Sequence, residues 1–148
     1  MYTFTLYQLS PIQQGIQAGH AAIDLVRRYC PQNDDLDDLP SRKRKWAQIV
    51  HWMKDCKTMI LLNGGDAENL LTILRTVSST EFPHSIFHED VSLNFIATSI
   101  AVLLPESVWG VVDEVKKKGG AAINFIPITE HVGTHKMINL LLDSHLAR

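Results

Sequence analysis

Apolar residues are distributed along the chain in two alternating ways, as short continuous runs and as longer stretches with helical spacing. Short runs are typical of strands, and apolar residues three or four positions apart are typical of a helix that covers a core. The runs predict strands over 2–8, 57–62, 84–89, 98–104 and 121–126. The spaced stretches predict helices over 9–29, 41–55, 66–77 and 105–118, and a shorter one near 134–142.

The alternation of predicted strands and helices indicates an α/β fold. We expect an α/β/α sandwich around a small mixed sheet of about four strands. The 148 residues fit a single domain, 1–148, with a core over about 2–127 and a C-terminal extension over 128–148. The extension carries a leucine-bearing helix, which is expected either to cover an edge of the sheet or to meet a second copy of the chain.

The first predicted helix has a strong start signal. Ser10 is a favourable N-cap, Pro11 suits the first helical position, and Gln13 lies three residues after Ser10. This spacing is that of a capping box, in which the Ser10 hydroxyl and the Gln13 amide each satisfy a backbone N–H group. We therefore expect Ser10 to cap this helix.

Two patterns distinguish the faces of the first helix. Isoleucines and a valine at helical spacing form an apolar stripe, namely Ile12, Ile16, Ile23 and Val26. Beside it runs a seam of small residues, namely Gly15, Ala18, Gly19 and Ala22. A glycine inside a helix costs up to about 1 kcal/mol relative to alanine, so two glycines on one seam indicate that sheet backbone or a ligand comes close. The polar residues next to this seam are Gln17 and His20.

Composition narrows the range of functions. Apolar residues make up 45% of the chain and charged residues 20%, as in an ordinary soluble protein. The net charge of −2 argues against a function that neutralises many phosphates, because such proteins are usually basic. No apolar run approaches the roughly 20 residues that span a bilayer, and the first residues lack a signal-peptide pattern. We therefore expect a cytoplasmic protein that does not enter a membrane.

Cysteine and histidine patterns predict neither a metal site nor a nucleophile. Cys30 and Cys56 lack metal-type spacing and an evident catalytic partner, so we expect two free thiols in a reducing compartment. The histidine pairs with i, i+4 spacing are His84 with His88 and His131 with His135. Neither pair has a clear third ligand. We expect no metal and no cofactor.

Polar segments follow two of the predicted strands. Asn63-Gly64-Gly65 ends one strand and precedes a helix that Asp66 can cap. Such a corner is either a structural turn or a loop that faces a ligand. The segment 89–94 is a polar stretch between two apolar strands. Ligands of such sheets lie outside the carboxyl ends of strands, so we expect both segments near a site.

Residues 17–22 read Gln-Ala-Gly-His-Ala-Ala, in a helix directly after an N-terminal strand. This segment resembles the first helix of the type II peptidyl-tRNA hydrolases, the archaeal and eukaryotic family. By the order of its elements the resemblance extends loosely over about 2–127, and the last twenty or so residues fall outside it. The resemblance implies the fold of that family, a homodimer, and tRNA as an alternative partner.

The resemblance also identifies where the catalytic groups of that family would lie. In that family the residues associated with activity are a lysine at the start of the first helix, a downstream aspartate and nearby threonines. In this chain Gln13 lies at the lysine position, and no lysine or arginine occurs from residue 1 to residue 26. The family's acidic pair is matched by Glu89-Asp90, Asn94 lies near one threonine position, and Thr98 or Ser99 lies near another. Because a neutral amide cannot supply the charge of lysine, we expect the scaffold without its usual catalytic lysine.

The sequence thus predicts a pocket that is rich in amides, carboxylates and hydroxyls and poor in cations. Its expected ligand-binding residues are Gln17, His20, Asn63, Gly64, Gly65, Glu89, Asp90, Asn94 and Thr98. Such groups suit base edges and ribose hydroxyls better than several phosphates. We therefore expect a non-catalytic protein that sequesters or senses a small nucleotide-type ligand.

Two alternatives belong to other functional classes. The first is an active hydrolase of peptidyl-tRNA or a related ester, with His20, Asp90 and Thr98 as its rearranged catalytic groups. The second is a protein-interaction module that docks a partner through the C-terminal helix.

Overall fold

A computed structural model describes residues 1–32, 39–90, 95–118 and 132–145 of the chain. In these ranges the strands are β1 Tyr2–Thr5, β2 Ile60–Asn63, β3 His84–His88 and β4 Ala97–Val102. The helices are α1 Pro11–Tyr29, α2 Pro40–His51, α3 Ala67–Ser78, α4 Glu106–Lys118 and α5 Val132–Asp143. A π-helical turn, Trp52–Cys56, continues α2. The strand predicted over 121–126 lies outside the described residues.

The strands form one mixed sheet in the order β2-β1-β4-β3. β1 runs parallel to β2, and β4 runs antiparallel to both β1 and β3. The carboxyl ends of β1, β2 and β3 therefore lie at the same end of the sheet as the amino end of β4. We call this the polar end, and its strand-terminal residues are Thr5, Asn63, His88 and Ala97. The prediction of a mixed sheet of about four strands is confirmed for the residues that the structure describes.

Helices α3, α4 and α5 bury the main apolar core against one face of the sheet. Its fully buried members include Phe4, Leu70, Ile100, Met137 and Ile138. Helices α1 and α2 bury a second cluster around Leu25 and Ile49 on the other side. Helices therefore pack on both faces, and within the described ranges none combines the length and apolar character needed to cross a bilayer.

The face of the sheet that packs against α1 carries small and hydroxyl-bearing side chains. Ser85 donates a hydrogen bond through Oγ to the Ala21 carbonyl of α1 at 2.6 Å. Register places Ala101 opposite Ser85 and Thr3, and Ser99 opposite Thr5, so these side chains share that face. All of these side chains are buried. Small side chains on the sheet let the backbone of α1 come close, as the bond from Ser85 to the Ala21 carbonyl shows.

The orientation of α1 corrects the sequence interpretation of its faces. Its buried residues are Gln14, Ala18, Ala21, Ala22, Leu25 and Tyr29. The isoleucine stripe lies outside the core instead, with Ile12, Ile16 and Ile23 exposed by 77%, 51% and 59%. A Cβ atom added at Gly15 or Gly19 meets nothing within 4 Å, so the expected close approach of sheet backbone to these glycines is wrong, and the approach of a ligand stays a prediction. The alanines, which fit the small residues of the sheet, form the contact.

The C-terminal helix α5 belongs to the main core rather than lying beside it. Met137, Ile138 and Leu141 are buried in the main core, where α5 packs against α3 and α4. The segment after α5 reaches β2, where the backbone N–H of Asn63 donates to the His145 carbonyl at 2.9 Å. The apolar face of the helix is therefore occupied by the chain itself.

Candidate functional site

The start of α1 forms the capping box that the sequence predicts. The backbone N–H of Ser10 donates to Gln13 Oε1 at 3.0 Å, and the backbone N–H of Gln13 donates to Ser10 Oγ at 3.3 Å. Gln14, which is buried, donates from Nε2 to the Leu9 carbonyl at 3.0 Å and closes the loop that enters the helix. The Gln13 side chain is therefore used by the backbone of the helix terminus.

Gln17 joins two polar residues from different strand ends. Its Nε2 donates to Glu89 Oε1 at 2.5 Å, and its Oε1 accepts from Thr98 Oγ1 at 3.1 Å. A carboxylate can only accept, so the nitrogen of the amide must face Glu89 and the oxygen is left for the hydroxyl. The three side chains form a hydrogen-bonded relay across α1, the end of β3 and the start of β4.

The backbone fixes the outer members of this relay. The Glu89 amide donates to the Ile96 carbonyl at 3.0 Å, and the Leu6 amide donates to the Thr98 carbonyl at 3.2 Å. Thr98 is buried, whereas Glu89 and Gln17 are half-buried. The relay therefore runs from the sheet interior to a carboxylate that is partly open to solvent.

His20 lies one helical turn after Gln17 and stacks on an aromatic side chain. Its imidazole lies 4.7 Å from the Phe87 ring, centroid to centroid, with an interplanar angle of 17°. His20 is exposed and Phe87 is half-buried. Together they place a flat aromatic surface beside the relay. Sequence reasoning identified His20 but missed Phe87, which lies in an ordinary apolar strand pattern.

The Asn63-Gly64-Gly65 turn has a structural explanation for each residue. The Gly64 amide donates to the Thr5 carbonyl at 2.7 Å, and an added Cβ would lie 2.9 Å from that oxygen. Gly65 has a φ of +73°, which favours glycine. Asn63 Oδ1 accepts from the Gly65 amide at 2.8 Å. The turn lies at the polar end, bound to β1, and Asn63 itself is exposed.

The remaining predicted residues differ in how far the structure describes them. Asp90 is exposed, and its carbonyl accepts from the Phe95 amide at 3.2 Å. Asn94 lies outside the described residues. The structure thus brings Gln17, Glu89 and Thr98 into direct contact at the polar end, with His20 beside them.

The relay contains one acidic side chain, that of Glu89. Among the described residues, the Glu89 carboxylate forms no ion pair, and it accepts a hydrogen bond from the neutral Gln17 amide. The described part of the chain also contains no cluster of three or more histidine, cysteine or acidic residues arranged to hold a metal ion. The arrangement favours recognition of hydrogen-bond donors.

A pair of buried hydroxyls beneath α1 was not anticipated from the sequence. Thr5 Oγ1 and Ser99 Oγ are buried without a hydrogen-bond partner among the described residues. The two residues are cross-strand partners. The alternation of threonines at positions 3 and 5 in the first strand is the signal that could have indicated a polar sheet face.

Comparison with known proteins does not assign the chain to a family. No model of a protein family matches the chain, and no curated protein matches it either.

Proposed function

We propose that this protein binds a small nucleotide-type molecule at the polar end of its sheet and does not catalyse a reaction there. The observation that supports this proposal best is the Gln17 amide held between Glu89 and Thr98. The proposal includes a scaffold of the type II peptidyl-tRNA hydrolase kind, a homodimeric state, and a cytoplasmic location.

The chemistry of the relay favours a nucleoside moiety. The Glu89 carboxylate retains acceptor capacity beyond its bond to Gln17, which suits ribose hydroxyls or an exocyclic amino group. The exposed His20 ring, already stacked on Phe87, offers a face on which a base can stack. The Glu89 carboxylate repels phosphates, so we propose that a nucleoside or monophosphate is preferred over a polyphosphate.

The absence of catalysis is inferred from what the polar groups already do. Ester hydrolysis is accelerated when a positive group or preorganised donors stabilise the developing oxyanion. Gln13, at the position of the family lysine, caps α1. The Thr98 hydroxyl donates its hydrogen to Gln17 rather than toward a substrate.

Calorimetric titration with adenosine and adenosine monophosphate tests this proposal. Glu89→Gln keeps an acceptor for Gln17 but removes the charge. Hydrogen bonds to charged groups contribute about 1.5–3 kcal/mol, so we expect roughly 10- to 100-fold weaker binding. Glu81→Gln is the matched control, because Glu81 is an exposed carboxylate before β3 at the opposite end of the sheet. Equal affinity for these ligands in wild type and Glu89→Gln would contradict the placement of the binding site at Glu89.

Two further measurements separate this proposal from the hydrolase alternative. Native mass spectrometry of the purified protein should reveal a bound small molecule and two subunits per particle. A cleavage assay on peptidyl-tRNA should give no turnover above background. Robust turnover that disappears in Asp90→Ala would favour the alternative in which His20, Asp90 and Thr98 are catalytic.

A further inference from the structure

A large apolar cavity lies at the end of the sheet opposite the polar end. Its volume is about 620 Å³, within the range typical of small-molecule pockets. Much of its lining is apolar or aromatic, including Tyr2, Trp52, Ile60, Leu103, Leu104 and Trp109. Burial raises the pKa of Tyr2 to about 12, so its phenol stays neutral at physiological pH. No residue of the Gln17 relay lines this cavity.

Cys56 and His51 line the same cavity and lie side by side. His51 Nε2 is 3.7 Å from Cys56 Sγ, and His51 Nδ1 is 2.7 Å from Asp55 Oδ2. Because the Asp55 carboxylate accepts, it favours the tautomer with hydrogen on Nδ1, which leaves Nε2 to accept the thiol proton. A thiol, a base and a group that orients the base are the parts of a nucleophilic site.

The π-helical turn after α2 creates this arrangement. In a π-helix the hydrogen bonds join residues five apart, and the Lys57 amide donates to the Trp52 carbonyl at 2.8 Å. The same turn brings positions 51 and 56 together, which an α-helix would hold on different faces. The Trp52 indole and the Thr58 carbonyl then close the turn at 2.9 Å. The spacing of residues in the sequence did not indicate that His51 would lie beside Cys56.

We propose that Cys56 is a nucleophile that accepts an acyl group from an ester whose apolar acyl chain lies in this cavity. The thiol proton moves to His51 Nε2 as sulfur forms a bond to the carbonyl carbon. The bond from that carbon to the ester oxygen then breaks. The departing oxygen takes the proton from His51, so an ester and a thiol become a thioester and an alcohol. This inference is independent of the function proposed for the polar end.

The test uses the whole protein with two chromogenic esters, p-nitrophenyl acetate and p-nitrophenyl butyrate. Release of nitrophenol gives the rate, and peptide mass mapping identifies the acylated residue. Cys30 is the internal control, since its Sγ contacts the Pro31 carbonyl at 3.8 Å and, within the part of the chain that the structure describes, no histidine. Dividing each rate by that of N-acetylcysteine with the same ester corrects for the reactivity of the ester.

We expect acylation of Cys56 with little at Cys30, and a larger corrected rate for butyrate than for acetate. General-base assistance typically contributes 10²-fold or more, so His51→Gln should slow the reaction by about that factor. Asp55→Asn should slow it less, and Cys30→Ser should leave it unchanged. Equal rates at the two cysteines, or a Cys56 rate unaffected by His51→Gln in a protein of unchanged circular dichroism, would overturn the proposal. A corrected rate that does not depend on acyl length would contradict the binding of the acyl chain in this cavity.

Discussion

Substitution of Gly64 by alanine probes the packing that holds the glycine turn against the sheet. A Cβ atom at this position would lie 2.8 Å from Leu70 Cδ1 and 2.9 Å from the Thr5 carbonyl oxygen. Leu70 is fully buried, and the Thr5 oxygen already accepts the Gly64 amide at 2.7 Å. Neither neighbour can withdraw without disturbing the core or the turn.

The expected cost follows from two opposing effects. Overpacking in a dense core costs about 1–3 kcal/mol. The loss of backbone freedom in the unfolded chain favours alanine by about 0.4–1 kcal/mol. We therefore expect Gly64→Ala to lower the free energy of unfolding by roughly 1–2 kcal/mol.

Gly15→Ala is the matched control for this substitution. It adds the same methyl group inside α1, where the new atom meets nothing within 4 Å. Alanine is favoured over glycine in a helix interior by about 0.5–1 kcal/mol, so Gly15→Ala should stabilise the protein by that amount.

Urea unfolding followed by fluorescence of the three tryptophans measures both effects. The two variants should move the unfolding midpoint in opposite directions. A Gly64→Ala protein as stable as wild type would refute the packing described at the turn. A destabilised Gly15→Ala protein would show that the outer face of α1 packs against something, such as a second copy of the chain.

Three further predictions concern single side chains, each measured by urea unfolding. Gln17→Met leaves the buried Thr98 hydroxyl without its acceptor and should lower the free energy of unfolding by about 1–3 kcal/mol. The same substitution should cost less in a Thr98→Val background, because the hydroxyl is then absent. An equal cost in both backgrounds would contradict the contact between Gln17 and Thr98. Ser10→Ala removes the N-cap oxygen and should cost about 1 kcal/mol, while no loss would argue against the capping box. Burial lowers the pKa of His84 below its ordinary value of 6.5, so the unfolded chain binds more protons around that pH and stability falls as the pH decreases through it. His84→Gln should flatten this decline, and an unchanged decline would assign it to other groups.

Local signals in the sequence predicted the helices and strands that the structure describes, but not which face of α1 is buried. The Ser10–Gln13 box and the Asp66 cap of α3 were predicted because capping depends on neighbours along the chain. Hydrophobicity favoured the isoleucine stripe of α1 as its buried face, since isoleucine is more apolar than alanine. The polar, small-residue surface of the sheet decided otherwise, and that surface is a property of strands that come together in three dimensions.

The two candidate sites also differ in how far the sequence predicted them. Gln17, Glu89 and Thr98 could be nominated from the sequence, but their direct contact depends on β3 and β4 being neighbours at the polar end. The contact between His51 and Cys56 was missed because their spacing is wrong for an α-helix and suits only the π-helical turn. Helical periodicity alone gives no signal of such a turn.

A titration with adenosine, followed by nitrogen–proton correlation spectra, tests the central claim most directly. The claim places the ligand at the Gln17 relay, so the side-chain amide resonance of Gln17 should shift and saturate. The indole resonances of Trp52 and Trp109, in the opposite cavity, should stay in place. A Gln17 resonance that does not move at saturating adenosine, with or without shifts of the two indoles, would contradict the account.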